Sequence, residues 1–209
     1  MKILEVNEIG PFDGVRVIKC QRFSDERGYF TEPYRKSDFE KVKGMGGINF
    51  VQSNESFSHA GVLRGLHFQW NPYMGKLVRV VEGDMIDLFL DIRIGSPTYG
   101  MMGDYRIESH RGSSTFEWIW VPPGFAHGNY FHEDTIIEYM CSGEYAGNKN
   151  EIAIWPMSRD INREHLSGVM KERLDDLNGV IISAKDKDGR TLTGWSMSEE
   201  AKLFQYNGG

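Results

Sequence analysis

The sequence predicts an all-β protein, folded as an antiparallel sandwich or barrel. Three observations carry this. Short runs rich in β-branched and aromatic residues recur from about residue 14 to residue 155, and turn signals separate them. A content of 24 glycines and nine tyrosines tilts the chain toward strands and tight turns. Helical periodicity appears only near the C-terminus.

Each element has its own signal. "GVRVIKCQRF", residues 14–23, alternates apolar and polar side chains as an early strand does. "KSDFEK" sets Ser37 and Glu40 at capping-box spacing, which predicts a short helix beginning there. "VLRGLHFQ", residues 62–69, reads as a strand with a glycine inside it. "KLVRVVEGDMIDLFLDIR" reads as a hairpin of two β-rich runs hinged at Glu82-Gly83-Asp84. "FEWIWVPPG" is an aromatic strand stopped by Pro122 and Pro123, and "TIIEYMCSGEY" and "EIAIW" are further strands. After Trp155, Leu166, Met170, Leu174 and Leu177 fall at helical spacing, with Gly179 as the stop. "VIISAKD" returns to extended structure, and "SEEAKLFQYNGG" reads as a short terminal helix that frays. A length of 209 residues suits one domain over 1–209, with a core of about 10–155, a helical insertion at about 160–179 and a tail from 180 to 209.

Composition excludes several classes. A formal net charge of −6 disfavours nucleic acid, so an anionic ligand must be met by a local basic cluster. Cys20 and Cys141 are far apart and form neither a disulfide framework nor a zinc motif. No signal peptide and no apolar run of membrane-spanning length is present, so no membrane partner and a soluble, cytoplasmic protein are expected. His67, His127 and His132 lack the tight spacing of a metal site, and no metal is expected. Phosphate loops of the GxxxxGK[ST] and GxGxxG kinds and a GxSxG elbow are absent.

Candidate chemistry centres on "VLRGLHFQ". On strict alternation His67 shares a face with Leu63, Gly65 and Gln69, and Arg64 faces the other way. A bulge at Gly65 would turn both inward; without it, His67 is a hydrogen-bonded histidine on a sheet face. Lys76 opens an otherwise apolar strand, where it either meets an anion in the barrel or is a solvated strand end. His127 sits between turn residues in "GFAHGNY", and Tyr139 and Tyr145 lie on "IIEYMCSGEY".

Taken in order, these segments resemble the dTDP-4-dehydrorhamnose 3,5-epimerase family of deoxysugar-nucleotide epimerases. The resemblance rests on "DERGYFTE", "FVQSNESFSHAGVLRGLHFQ", "GKLVRVVEGDMIDLFLDIRIGSPTYG", "VPPGFAHGNYF", "EYMCSGEY" and "ISAKD", from about residue 10 to residue 190. It implies a cupin-type jelly-roll barrel with a few short helices, mainly C-terminal. It also implies a homodimer that works without metal or other cofactor, in which part of each N-terminal region reaches the partner's site. The implied substrate is a nucleotide-diphosphate 4-keto sugar, a precursor of rhamnose or another surface-polysaccharide sugar. By motif position, His67 is the implied general base, Asp186 its carboxylate partner, Tyr139 the acid across the ring and Lys76 the group beside the sugar carbonyl. Arg27, Glu32, Gln52, Asn54, Arg64, His127, Tyr145 and Lys185 match positions that line the substrate site.

The residue types suit that chemistry. A C–H bond next to a ketone loses its proton because the carbanion delocalises into an enolate, and neutral imidazole is a base suited to pH 7. A carboxylate orients the ring, a cation stabilises the enolate oxygen, and arginines pair with diphosphate. The chain departs from the family pattern at Ser53, where an acidic residue is usual, and at Asn150, where an ungapped match places a nucleotide-holding glutamate. The segment between Trp155 and "ISAKD" is longer than usual. Alternatives are a single-centre 3- or 5-epimerase on a GDP-linked or heptose sugar, a metal-dependent cupin enzyme, and a non-catalytic sugar-nucleotide binder.

Overall fold

One strand organises the molecule. In the computed structural model, which describes residues 1–147 and 150–206, β7 runs unbroken from Lys76 to Asp91. Its first arm pairs with β9 (Thr115–Val121) and β11 (Thr135–Cys141). Its second arm pairs with β8 (Met102–Ser109) and β10 (Phe125–Phe131). The expected hairpin is therefore replaced by a strand that changes sheets at its hinge. Gly83 makes the bend with φ of 115°. A Cβ there would stand 2.8 Å from Thr135 Cα, so the corner admits only glycine.

The first sheet continues outward through β2 (Arg16–Gln21) to β1 (Ile3–Glu8) on one side, and through β11 to β5 (Gln52–Ser58) on the other. The second sheet runs from β10 to β6 (Val62–Gln69), whose outer edge takes β12 (Glu151–Ala153) and β13 (Ile181–Ile182). A small separate ladder joins β3 (Phe23–Asp25) to β4 (Gly28–Phe30). This is the mostly-β architecture that the sequence predicts, with the few helices short and mainly C-terminal.

Alternation places the side chains, but its parity changes at the corner. Val78 and Val80 point between the sheets from the first arm, whereas Met85 and Phe89 do so from the second. The space between the sheets is apolar at one end, around Phe12, Phe89, Phe125 and Phe131. Two further apolar layers cover the outer faces. Phe39, Val42 and Met45 pack on Trp118 and Trp120 of the first sheet. Leu166, Met170, Leu174, Trp195 and Phe204 pack on Leu66, Phe68 and Leu90 of the second. The C-terminal helical region thus clads the outer face of the second sheet.

The helices differ in detail from their sequence signals. α1 spans Lys36–Phe39 and starts after Arg35, with no side-chain cap, so Ser37 lies inside it; burial of Phe39 holds it. α2 is confined to Gly168–Asp175, because Ser167 caps it by accepting from the Met170 N–H. Leu166 therefore precedes the helix and Leu177 follows it, half-exposed. α3 (Ala184–Lys187), α4 (Leu192–Ser196) and a 3-10 turn at Glu199–Leu203 complete the chain. Tyr145 lies beyond the end of β11, in a loop. The last three residues of the predicted tail helix fall outside the described residues.

Met170 and Leu174 are buried in this outer layer. Changing either to Ala is expected to cost about 2–5 kcal/mol, because the cavity opens against a rigid sheet. Urea unfolding midpoints measure it, and a shift near zero means that the layer is only loosely attached.

Candidate active site

β6 answers its own sequence puzzle with one extra residue. Asn129 of β10 pairs with Arg64, but His127 pairs with His67, so two steps along β10 match three along β6. The register shift is a bulge, and it turns Arg64 and His67 to the same side. Gly65 supplies the required backbone with φ of 100°. Both side chains line a cavity of about 520 Å³ between the sheets.

The bulge also receives a carboxylate. β13 pairs in parallel with Val62 and Leu63, while β12 reaches back to His67. α3 follows directly, capped by the Ser183 hydroxyl, which accepts from the Asp186 N–H at 3.1 Å. Its first turn brings Asp186 to the gap between the two short ladders. Asp186 Oδ1 lies 2.6 Å from His67 Nε2, and Oδ2 accepts a longer bond, 3.4 Å, from the Gly65 N–H. Burial pushes this carboxyl up, but the His67 hydrogen bond and charge, with the Ser183 and Gly65 bonds, hold it below the usual carboxylate range. An ionised Asp186 that accepts the Nε2 proton leaves the lone pair of His67 on Nδ1.

Lys76 and Tyr139 stand on the facing sheet. Lys76 is the cross-strand partner of Cys141, and its ammonium lies 5.9 Å from the Tyr139 ring centre. Lys76 makes no hydrogen bond or ion pair among the described residues. Burial pushes its ammonium down, opposed by the nearby Cys141, Glu151 and Asp87. Burial, reinforced by Cys141, raises the Tyr139 phenol and keeps it protonated, with Arg64 opposing. Asp87 is fully buried; both its oxygens lie within 2.8 Å of His127 Nε2, and Asn129 donates to it at 3.0 Å. Burial raises the Asp87 carboxyl against the pull of His127 and Lys76.

The cavity's rim is polar. Arg64 donates to the Ser58 hydroxyl at 2.9 Å and to the Phe57 carbonyl at 3.2 Å. Lys185 is ion-paired with Glu151, which also accepts from the Tyr145 hydroxyl at 3.3 Å. An adjoining space of about 260 Å³ shares His67, Lys76 and Tyr139 with the main cavity. Gln52, Asn54 and Tyr145 line it. There Gln52 accepts from the Tyr145 N–H at 2.8 Å and donates to Asn54 at 2.9 Å.

The structure therefore gathers most of the predicted residues, though not all, around one space. His67, Asp186, Lys76 and Tyr139 line the main cavity together with Arg64, His127 and Lys185. Arg27 does not reach it; it lies in the β3–β4 turn, bonded to Asp25 at 2.6 Å with its side chain 83% exposed. Glu32 is also elsewhere, joined to the Met1 amino group and to Arg35, which together hold its carboxyl at about 2. Sequence reasoning missed Asp87 and Asn129 as site residues. Asp87 was hidden because parity counted from Lys76 fails at the Gly83 corner. Glu151 was one position away: Asn150 turns to the Asn71 carbonyl, and Glu151 faces the site. Among the described residues, no group of three or more His, Cys, Asp and Glu is arranged to hold a metal ion.

Comparison with known proteins adds a separate line. Residues 10–194 match the family model described as dTDP-4-dehydrorhamnose 3,5-epimerase. The enzyme of that name from Methanothermobacter thermautotrophicus is 37% identical over 181 residues, covering 86% of this chain and 90% of its own length. The Escherichia coli enzyme of that name is 38% identical over 191 residues, with the same two shares. A 3,5-epimerase from Legionella pneumophila, solved in complex with dTDP-4-keto-L-rhamnose, aligns with a TM-score of 0.79 at 30% identity. That alignment covers 98% of this chain and 100% of that one.

A methyl group on residue 65 would lie 2.7 Å from the His127 carbonyl oxygen and 2.8 Å from Gly128 Cα, both of them backbone. Gly65→Ala is therefore expected to abolish the bulge and separate His67 from Asp186. A crystal structure of the variant with the 2.6 Å contact intact would contradict this account of how the pair is built.

Proposed function

The chain belongs to the dTDP-4-dehydrorhamnose 3,5-epimerase family and is an isomerase of nucleotide-linked 4-keto-6-deoxy sugars; we propose that His67 takes the proton next to the keto group. One observation carries this reading: His67 on one sheet, oriented by Asp186 of α3, looks across a cavity at Lys76 and Tyr139 on the other.

The proton at C3 or C5 passes to His67 Nδ1, the C–H electron pair forms the new C=C bond, and the C=O π pair moves onto the ketone oxygen. Asp186 stabilises the imidazolium that forms. The Lys76 ammonium stands ready for the enolate oxygen, since nothing else among the described residues pairs with it. Loss of one such donor typically costs about 3–4 kcal/mol of transition-state stabilisation. Tyr139 then gives its phenolic proton to carbon from the opposite face, and the configuration inverts. Solvent restores both groups. The reading uses no metal and no cofactor.

Recognition follows the same division. Arg64 and Lys185 serve the diphosphate as fixed cations at the rim. Gln52, Asn54, Tyr145 and Glu151 hold the remainder of the nucleotide sugar. The dTDP sugar bound in the Legionella relative supports dTDP as the carrier here. Arg27 and Glu32 fit only if a second copy is present. In that reading the chain is a homodimer, and the β3–β4 hairpin delivers Arg27 to the partner's cavity. Exposed Phe23, Tyr29 and Phe30 on the same hairpin support it, with Phe30 64% exposed. No helix of the described residues is long and apolar enough to cross a membrane, and a nucleotide-sugar substrate fits a cytoplasmic enzyme.

Incubation with dTDP-4-keto-6-deoxyglucose in D2O is expected to place deuterium at C3 and C5, read by NMR. His67→Ala should bind dTDP normally and place none. Exchange that survives in His67→Ala would assign the base wrongly. Mixing inactive Arg27→Ala with inactive His67→Ala is expected to restore roughly a quarter of normal turnover, because one composite site per mixed dimer is complete. No recovery after subunit exchange would place Arg27 outside catalysis in trans.

A further inference from the structure

The family-model match ends at residue 194, and the chain beyond it touches the loop that leads into the site. The Tyr73 hydroxyl donates to the Leu203 carbonyl at 2.8 Å, and its ring meets that of Phe204 edge-on at 5.3 Å. Phe204 is itself buried, against Phe68 at 5.4 Å and Trp195 at 5.5 Å. On its other side the Phe204 carbonyl accepts from the Ile94 N–H at 2.7 Å, and the Tyr206 N–H donates to the Ile94 carbonyl at 3.0 Å. Tyr73 lies just before β7 and Ile94 just after it. The tail therefore ties together the two ends of the strand that spans both sheets.

The tethered loop, residues 70–75, leads straight into Lys76. It carries Met74, which lines the cavity beside Lys76. From within, Gln69 holds the loop by donating to the Pro72 carbonyl at 3.0 Å, and Gln69 is itself fixed by Glu144 and Ala146. From without, the hydrogen bond and ring contact of Tyr73 with the tail hold it. Lys76 has a flexible four-carbon stem. With no polar partner among the described residues, its ammonium is placed by its backbone and by packing. Whatever fixes the loop fixes the lysine.

We propose that the C-terminal segment 199–206 is a positioning element for the active site, bracing the 70–75 loop so that Met74 and Lys76 are held at the sugar. The inference rests on the role of Lys76 given above, and its direct partner in the brace is Tyr73. An error of about 1 Å in placing such a group is enough to cost up to a hundredfold in rate.

Tyr73→Phe removes only the hydroxyl and keeps the ring, so the fold is retained. Loss of one such bond is expected to speed amide hydrogen exchange in residues 70–75, and lower kcat, by about fivefold. Phe204→Ala should have the larger effect on both. The affinity for dTDP, measured by calorimetry, should stay the same in Tyr73→Phe, because the nucleotide contacts lie elsewhere. An unchanged loop, or a faster loop with unchanged kcat, overturns the proposal. A lower melting temperature with kcat intact does the same, since it shows the tail to be structural only. If the unaltered protein turns over no 4-keto sugar, the epimerase reading fails instead. Hydrogen exchange alone then judges the brace, and an unaltered loop rejects it.

Discussion

The site depends on one inserted residue in β6. Without the step at Gly65, Arg64 and His67 would face opposite sides of the sheet and no carboxylate would have a place to dock. With it, both side chains enter the cavity and the Gly65 N–H is left for Asp186. A bulge normally costs a ladder hydrogen bond. Here the unpaired donor is satisfied by the carboxylate that also fixes the histidine. Backbone satisfaction and side-chain orientation are one event.

The buried charges follow a second constraint, the corner at Gly83. Because inward parity changes there, the first arm of β7 contributes Lys76 and the second contributes Asp87, both to the same interior. An isolated charge between packed sheets would cost several kcal/mol. Asp87 is compensated by His127 and Asn129. Lys76 has only the field of neighbouring acids, which leaves its bonding capacity free for a ligand oxygen. The polar end of the interior is affordable because three apolar layers, one inside and two outside, carry the packing.

Much of this was legible in the sequence, for identifiable reasons. Strands were visible wherever alternation was strict, and Pro122 with Pro123 marked the end of β9. The glycine inside "VLRGLHFQ" signalled the bulge, although only the pairing with β10 shows that it is there. The hinge of β7 was located correctly but read as a hairpin, since sequence shows a bend and not which strands each arm will join. β1 went unnoticed because its outward residues, Leu4 and Val6, are apolar and half-exposed, which blurs the alternation. Arg27 and Glu32 carry no local signal that tells them from surface charges, and the structure pairs them with Asp25 and with Met1 and Arg35.

His67 and Asp186 are 119 positions apart. The strand that carries Asp186 to its place is β13, only two residues long and paired in parallel to the edge of β6. During synthesis, every other wall of the cavity leaves the ribosome before this piece does. A chain clipped before β13 would keep Arg64 and His67 but lose Lys185 together with Asp186, leaving an imidazole with no fixed tautomer or direction. The order of synthesis thus leaves the His67–Asp186 pair unformed until the chain has passed residue 186.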